Sequence, residues 1–268
     1  MVMLTQPYTA AHAIARLDFA LIFSKKLEDG QRKSIAEALD GHLKAYGLHA
    51  AVSEEGGVSE DDDDDVVAFV RKGQDEQIAE EVHVHENYVH VVWSDYRGWV
   101  LSRDGALERL KPVIEMVEQG RLVLGGVGLA YRDVFITDDA SQFSARSLFR
   151  SDGDLLPSFL MEKGAKWRHW TGWHESGTPT EKWRSFCMLG VDVGDRVQED
   201  GQTIHVAEVV HRQRLSPTQE GEGIAVEDLS FLWNEAHKQN RFAMHRLIGD
   251  EMLELIGLKE CQSEQSMQ

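Results

Sequence analysis

Cysteine is nearly absent from this chain: Cys187 and Cys261 are the only two among 268 residues. One sits in a strand-like segment and the other in a polar tail, so no disulfide framework is expected and a reduced compartment, the cytoplasm, fits both. No apolar run approaches the roughly 18 residues of a membrane span, and the first residues lack a basic segment followed by an apolar one. Neither a membrane span nor a secretory signal is expected. Cations are scarce, with 28 Lys and Arg against 46 Asp and Glu, and the net charge of −18 disfavours non-specific attachment to nucleic acid. Nucleotide and nucleophile motifs are lacking too. The glycines at 125, 126 and 128 have neither a Gly-Lys-Ser/Thr ending nor an immediately following helix, so close backbone packing accounts for them better than phosphate binding. Cys187 has no adjacent helix start or His in sequence to activate it.

What is present is enough apolar material for a real core, 42% of residues, and a clear alternation of elements. Residues 13–23 read as a strand, with Leu17, Phe19, Leu21 and Phe23 on one face. Asp29 caps an expected helix through Tyr46, in which Ile35, Leu39 and Leu43 recur at four-residue steps and Gly47 ends it. Six consecutive carboxylates, Glu60 to Asp65, repel one another and read as a solvated loop; they lack the Gly turn and spaced ligands of a calcium loop. Residues 66–70 and 82–93 read as strands, 107–119 as a helix with Pro112 near its first turns, and 123–137 as a central strand. A polar stretch at 138–153 marks a boundary between a lobe at 1–140 and a second at 141–268, which could equally form one continuous domain. Residues 166–174, 183–193 and 202–215 read as long strands, with Asp192 and Asp195 in a turn. Residues 228–258 read as one long amphipathic helix whose stripe is Leu229, Leu232, Trp233, Ala236, Ala243, Met244, Leu247, Ile248 and Leu255. The expected fold is α+β: a mixed or antiparallel sheet in two lobes, helices on one face, and a long carboxy-terminal helix.

Val127-Gly128-Leu129-Ala130-Tyr131, with Val134 and Phe135 after it, resembles the strand motif of a sporadically distributed family of uncharacterised prokaryotic proteins of about 250 residues. In that family a Gly-Leu-Arg-Tyr segment is followed by Asn and Ile. His237, followed by Ala243, Met244, Ile248, Asp250, Glu251 and Met252, is similar to the family's closing helix, where Leu-His precedes Ala-Phe and Ile-Thr-Asp-Glu. The strand at 14–23 is similar to its opening strand. Here Ala130 stands for the family's Arg, Asp133 for its Asn, Met244 for its helix Phe and Gly249 for its Thr, while Ala13 and Arg16 replace its opening Pro and Glu. The resemblance implies a divergent member. It assigns no catalytic residue, and the family's scattered occurrence implies accessory genes such as those of phage defence or toxin neutralisation.

Two clusters carry candidate chemistry. Trp167, Trp170, Trp173 and Trp183 fall among Lys166, Arg168, His169, His174, Lys182 and Arg184. Aromatic faces beside cations hold a partner peptide or stack bases, whereas Trp167 and Trp173, sharing one strand face, could instead fill the core. Together with His237 of the terminal helix, the residues expected to meet a partner are Trp167, Arg168, Trp170, Trp173, Trp183 and Arg184. His83 and His85 share a face at the strand period of two, with His90 on the other. A metal there would need a further ligand such as Glu81 or Asp95. The leading expectation is a non-enzymatic accessory or sensor subunit without a cofactor, binding another protein encoded nearby or a second copy of itself. The alternatives are a metal-dependent hydrolase or nuclease at His83, His85 and Asp95, and a nucleic-acid sensor at Trp170, Arg168 and Arg184.

Overall fold

The structure is a computed structural model that describes residues 5–9, 11–51, 66–74, 76–137, 140–175, 181–198, 201–219 and 221–258. The acidic run at 60–65 and Cys261 lie outside the described residues. Ten strands, β1 (Thr5–Pro7), β2 (Ile14–Phe23), β3 (His49–Ala50), β4 (Val67–Lys72), β5 (Ile78–Val84), β6 (Tyr88–Trp93), β7 (Leu124–Thr137), β8 (Trp167–Glu175), β9 (Trp183–Val197) and β10 (Thr203–Pro217), form one sheet. Its order is β3-β4-β5-β6-β2-β7-β10-β9-β8, with β1 beside the end of β7, and every pairing is antiparallel. The helices are α1 (Asp29–Leu43), α2 (Trp99–Glu118), α3 (Ala145–Leu148), α4 (Leu229–Leu247) and α5 (Asp250–Leu255). The α+β expectation is met. Among the described residues no helix is long and apolar enough to cross a membrane.

The chain runs through the same order twice. Leaving aside the two-residue β3, a β-α-β-β-β-α unit from β2 to α2 is followed by another from β7 to α4. Outward from the centre, each unit places its first strand, then its fourth, third and second: β2, β6, β5, β4 on one side and β7, β10, β9, β8 on the other. The units join through antiparallel β2–β7 pairing, in which Phe19 lies opposite Leu129 and Ala20 opposite Gly128. A Cβ on Gly128 would sit 3.1 Å from that of Ala20, so the glycine lets two central strands meet closely. The second unit opens at Leu124, earlier in the chain than the polar stretch at 138–153.

The period of two assigns the faces. Leu17, Phe19 and Leu21 of β2, Val82 and Val84 of β5, Leu129 and Tyr131 of β7 and Leu189 and Val191 of β9 all point to the side where the helices bury their own apolar stripes. The opposite face carries Arg16, Asp18, His83, His90, Arg132, Arg212 and Trp170, and no described helix covers it.

Four local expectations change. Residues 82–93 are a hairpin, β5 then β6, turning at 85–87. The second helix starts at Trp99, so Pro112 falls well inside it. The terminal helix is two helices, because Ile248 is extended, forms a bridge with Phe149, and leaves Gly249 to donate its amide to the Leu148 carbonyl. Leu255 therefore leaves the buried stripe and is 46% exposed, while Asp192 and Asp195 lie within β9 instead of a turn.

Trp233 of α4 fastens the centre. It is fully buried, donates its indole N–H to the Gly128 carbonyl at 3.1 Å, and meets Phe19 edge to face at 5.1 Å between ring centres. Replacing a buried Trp by Ala costs about 3–5 kcal/mol. Trp233→Ala is expected to lower the urea midpoint accordingly; a loss under about 1 kcal/mol would show that α4 does not seat on β2 and β7 in this way.

Candidate functional site

A pocket of about 590 Å³ opens on the helix side where the two units meet. Its walls come from both: Ile14 at the start of β2 and Trp99 at the start of α2, then Tyr131 and Asp133 of β7 and His237, Asn240 and Arg241 of α4. Trp99 is placed by its indole N–H, which donates to Asn234 Oδ1 at 2.9 Å; Arg103 donates to the same oxygen at 2.9 Å, tying α2 to α4. The His237 ring stacks on Trp99 with 4.1 Å between centres and 7° between planes, and its Nδ1 lies 2.6 Å from the Tyr131 hydroxyl. Burial lowers the His237 pKa to about 4, so the imidazole is neutral near pH 7, and the tautomer protonated at Nε2 accepts a hydrogen bond from the hydroxyl. Asn240 donates its amide to His211 Nδ1 at 3.0 Å, leaving its oxygen unclaimed by that bond.

Charge is concentrated in two groups. Asp133 occupies a buried position in β7 facing Ile14 of β2, and burial raises its pKa to about 7. Arg241 holds its Nε buried without a hydrogen-bond partner among the described residues, as His12 does its Nδ1. The Arg241 charge reaches Tyr96, Tyr131 and His237, which places the guanidinium among the groups lining the pocket. An apolar cavity ringed by a few converging polar groups, with a shifted acid and an unsatisfied donor, is the usual form of a small-molecule site.

On the other face of the sheet three imidazoles come together. His83 of β5 lies directly opposite His90 of β6 in the register, with ring centres 4.9 Å apart, and His85 stands 5.2 Å from His90. One ligand nitrogen from each lies within 4.8 Å of the others. Two features fix the group: Glu81 Oε2 bonds His83 Nε2 at 2.7 Å, and Tyr88 stacks on His85 at 4.2 Å. Burial and the neighbouring His83, His85 and Arg16 charges push the His90 pKa down to about 2. The expectation that His90 points away from His83 and His85 is corrected, because the turn at 85–87 folds the segment back on itself and restores the shared face. Asp95 does not complete the cluster; its carboxylate is held by Arg97 at 2.5 Å.

The residues expected to meet a partner divide between the faces. Arg168, Trp170 and Arg184 lie on the open side, whereas Trp167, Trp173, Trp183 and His237 lie on the helix side. Trp183 is buried, and Trp167 and Trp173 pack partly buried against the core of the second unit. Trp170 is 47% exposed and covers Gly190, where a Cβ would meet its ring at 2.6 Å. Asp133, Arg241, Trp99, Tyr96 and His12 were not distinguished by sequence reasoning as site residues. Asp133 did carry a signal, a carboxylate at a core-facing position between Tyr131 and Phe135. No protein-family model matches this chain, and no curated protein matches it in sequence.

Asp133 makes stability depend on pH. Its folded pKa of about 7 exceeds the ordinary 3.8, so the stability tied to its neutral form is whole below about pH 4 and is lost as pH rises through about 7. The loss is on the order of 4 kcal/mol between these limits. Asp133→Asn is expected to remove most of this fall in urea unfolding free energy and to be more stable than the parent at pH 8. An unchanged pH slope would place the ionisation elsewhere.

Proposed function

We propose that this protein is a non-enzymatic sensor that holds a small anionic molecule with an apolar or aromatic body in the pocket between its two units. The observation that carries the reading is the buried Arg241 Nε without a hydrogen-bond partner among the described residues, at a cavity walled by Trp99, Ile14 and Met244. A desolvated guanidinium gains a charge-assisted bond from a carboxylate, and the apolar walls take the rest of the ligand. Asp133 tunes the site: neutral below about pH 7 it donates to an anion, and ionised it repels one. His237 stays neutral and serves as a flat platform with Trp99. Tyr131 and His237, on which the family resemblance rests, line this pocket, as do Asp133 and Met244, where the chain departs from the family's pattern.

Benzoate, salicylate and indole-3-acetate are suitable probes by thermal shift and intrinsic tryptophan fluorescence. At least one is expected to raise the melting temperature and to bind more weakly as pH rises through 7. Arg241→Gln is expected to weaken it about 10–100-fold, the loss of one charged hydrogen bond of about 1.5–3 kcal/mol. Failure of all three, together with native mass spectra of the protein from its own host showing no bound small molecule, would remove the reading.

A protein partner on the open face is a second reading, favoured by Trp170, exposed on the same side as Arg168 and Arg184. In that reading Trp170→Ala abolishes association while leaving ligand binding intact.

A further inference from the structure

We propose that His83, His85 and His90 form a binding site for a divalent ion of the zinc class on the open face of the sheet. The pocket lies on the opposite face, so the two readings stand independently. His83 and His90 on paired strands and His85 in the turn between them already bring one nitrogen each within 4.8 Å. An ion bound at about 2.0–2.1 Å to each would draw those nitrogens to about 3.3 Å apart. The donor set is chemically selective: three neutral imidazoles suit Zn(II), Co(II) or Ni(II), whereas Ca(II) and Mg(II) require oxygen.

The surroundings are those of a ligand set held in place. Glu81 binds one ring nitrogen of His83, the carboxylate contact that orients a coordinating imidazole and raises its basicity. Tyr88 fixes His85 by stacking, and the His85 amide donates to the Tyr88 carbonyl at 2.9 Å across the turn. Arg16 stands near and opposes a bare cation, but Asp18 engages its guanidinium at 2.8 Å. Three protein ligands leave a fourth position for water or an anionic group. Arg16, with Arg132 and Arg212 further along the same face, would favour the anion.

Zinc chloride and cobalt chloride are added to the metal-stripped full chain and followed by calorimetry and visible absorption. One equivalent is expected to bind, with cobalt giving the intense visible bands of a four-coordinate site. His85→Gln and His90→Gln are expected to abolish binding, Glu81→Gln to weaken it about 10–100-fold, and Asp95→Ala to leave it unchanged. Circular dichroism of each variant separates loss of the site from loss of the fold. Absence of stoichiometric binding to the parent, or binding that survives His90→Gln in a folded variant, overturns the proposal. Loss of ligand binding in Arg241→Gln with zinc binding intact bears on the pocket alone.

Discussion

A run of packed rings holds the two units together. Trp233 meets Phe19, Phe19 lies against Trp99 at 5.5 Å, Trp99 stacks on His237, and His237 bonds the Tyr131 hydroxyl. These side chains come from β2, β7, α2 and α4, so the run spans both units on the helix side of their shared strand pair. The apolar area of its aromatic members supplies the stabilisation, and the two polar tips, the Trp233 and Trp99 indoles, are each given an acceptor. The pocket lies where this run ends. Beyond His237 and Tyr131 the strands continue with Ile14 and Asp133, which large aromatic side chains no longer fill.

One sheet with all its helices on a single side creates two different environments. The covered side is dry enough to shift the pKa of Asp133 up and those of His211 and His237 down, each through burial. It also contains a charged knot: Glu80, fully buried, accepts from Arg71 at 2.8 Å and from Arg109 at 2.8 Å, joining β4, β5 and α2. Such a knot specifies how α2 sits more than it stabilises the fold. The bare side carries polar pairs instead, Arg16 with Asp18, Arg132 with Glu208 and Arg168 with Asp192, beside the partly buried histidine cluster. A small-molecule pocket and an ion site can thus coexist on one chain because the sheet separates them.

Much of this architecture is legible in residue periodicity. The strand β8 alternates throughout and β7, β9 and β10 over most of their length, and α4 carries a stripe at three- and four-residue steps that is buried from Leu229 to Leu247. Legibility fails where tertiary contacts decide. The break after Leu247 follows from a bridge to Phe149, a residue about a hundred positions away, which no local pattern announces. The first turns of α2 look like strand because Val100 and Leu101 are apolar, yet both are exposed there. The turn of the β5–β6 hairpin contains neither Gly nor Pro, so His90 reads as facing away from its partners. The pocket is hidden for a related reason: Asp133, Arg241 and Trp99 lie far apart in sequence and line one cavity only once both units have folded.

Native-state hydrogen exchange across the β2–β7 pair tests the account most directly, since everything rests on two units closing into one cooperative sheet. The amides of Leu17 to Leu21 and of Val127 to Tyr131 are predicted to be among the slowest in the chain, exchanging only through global unfolding. Faster exchange there than within β9 and β10 would mean that the units open independently, and would contradict both the seam and the pocket built on it.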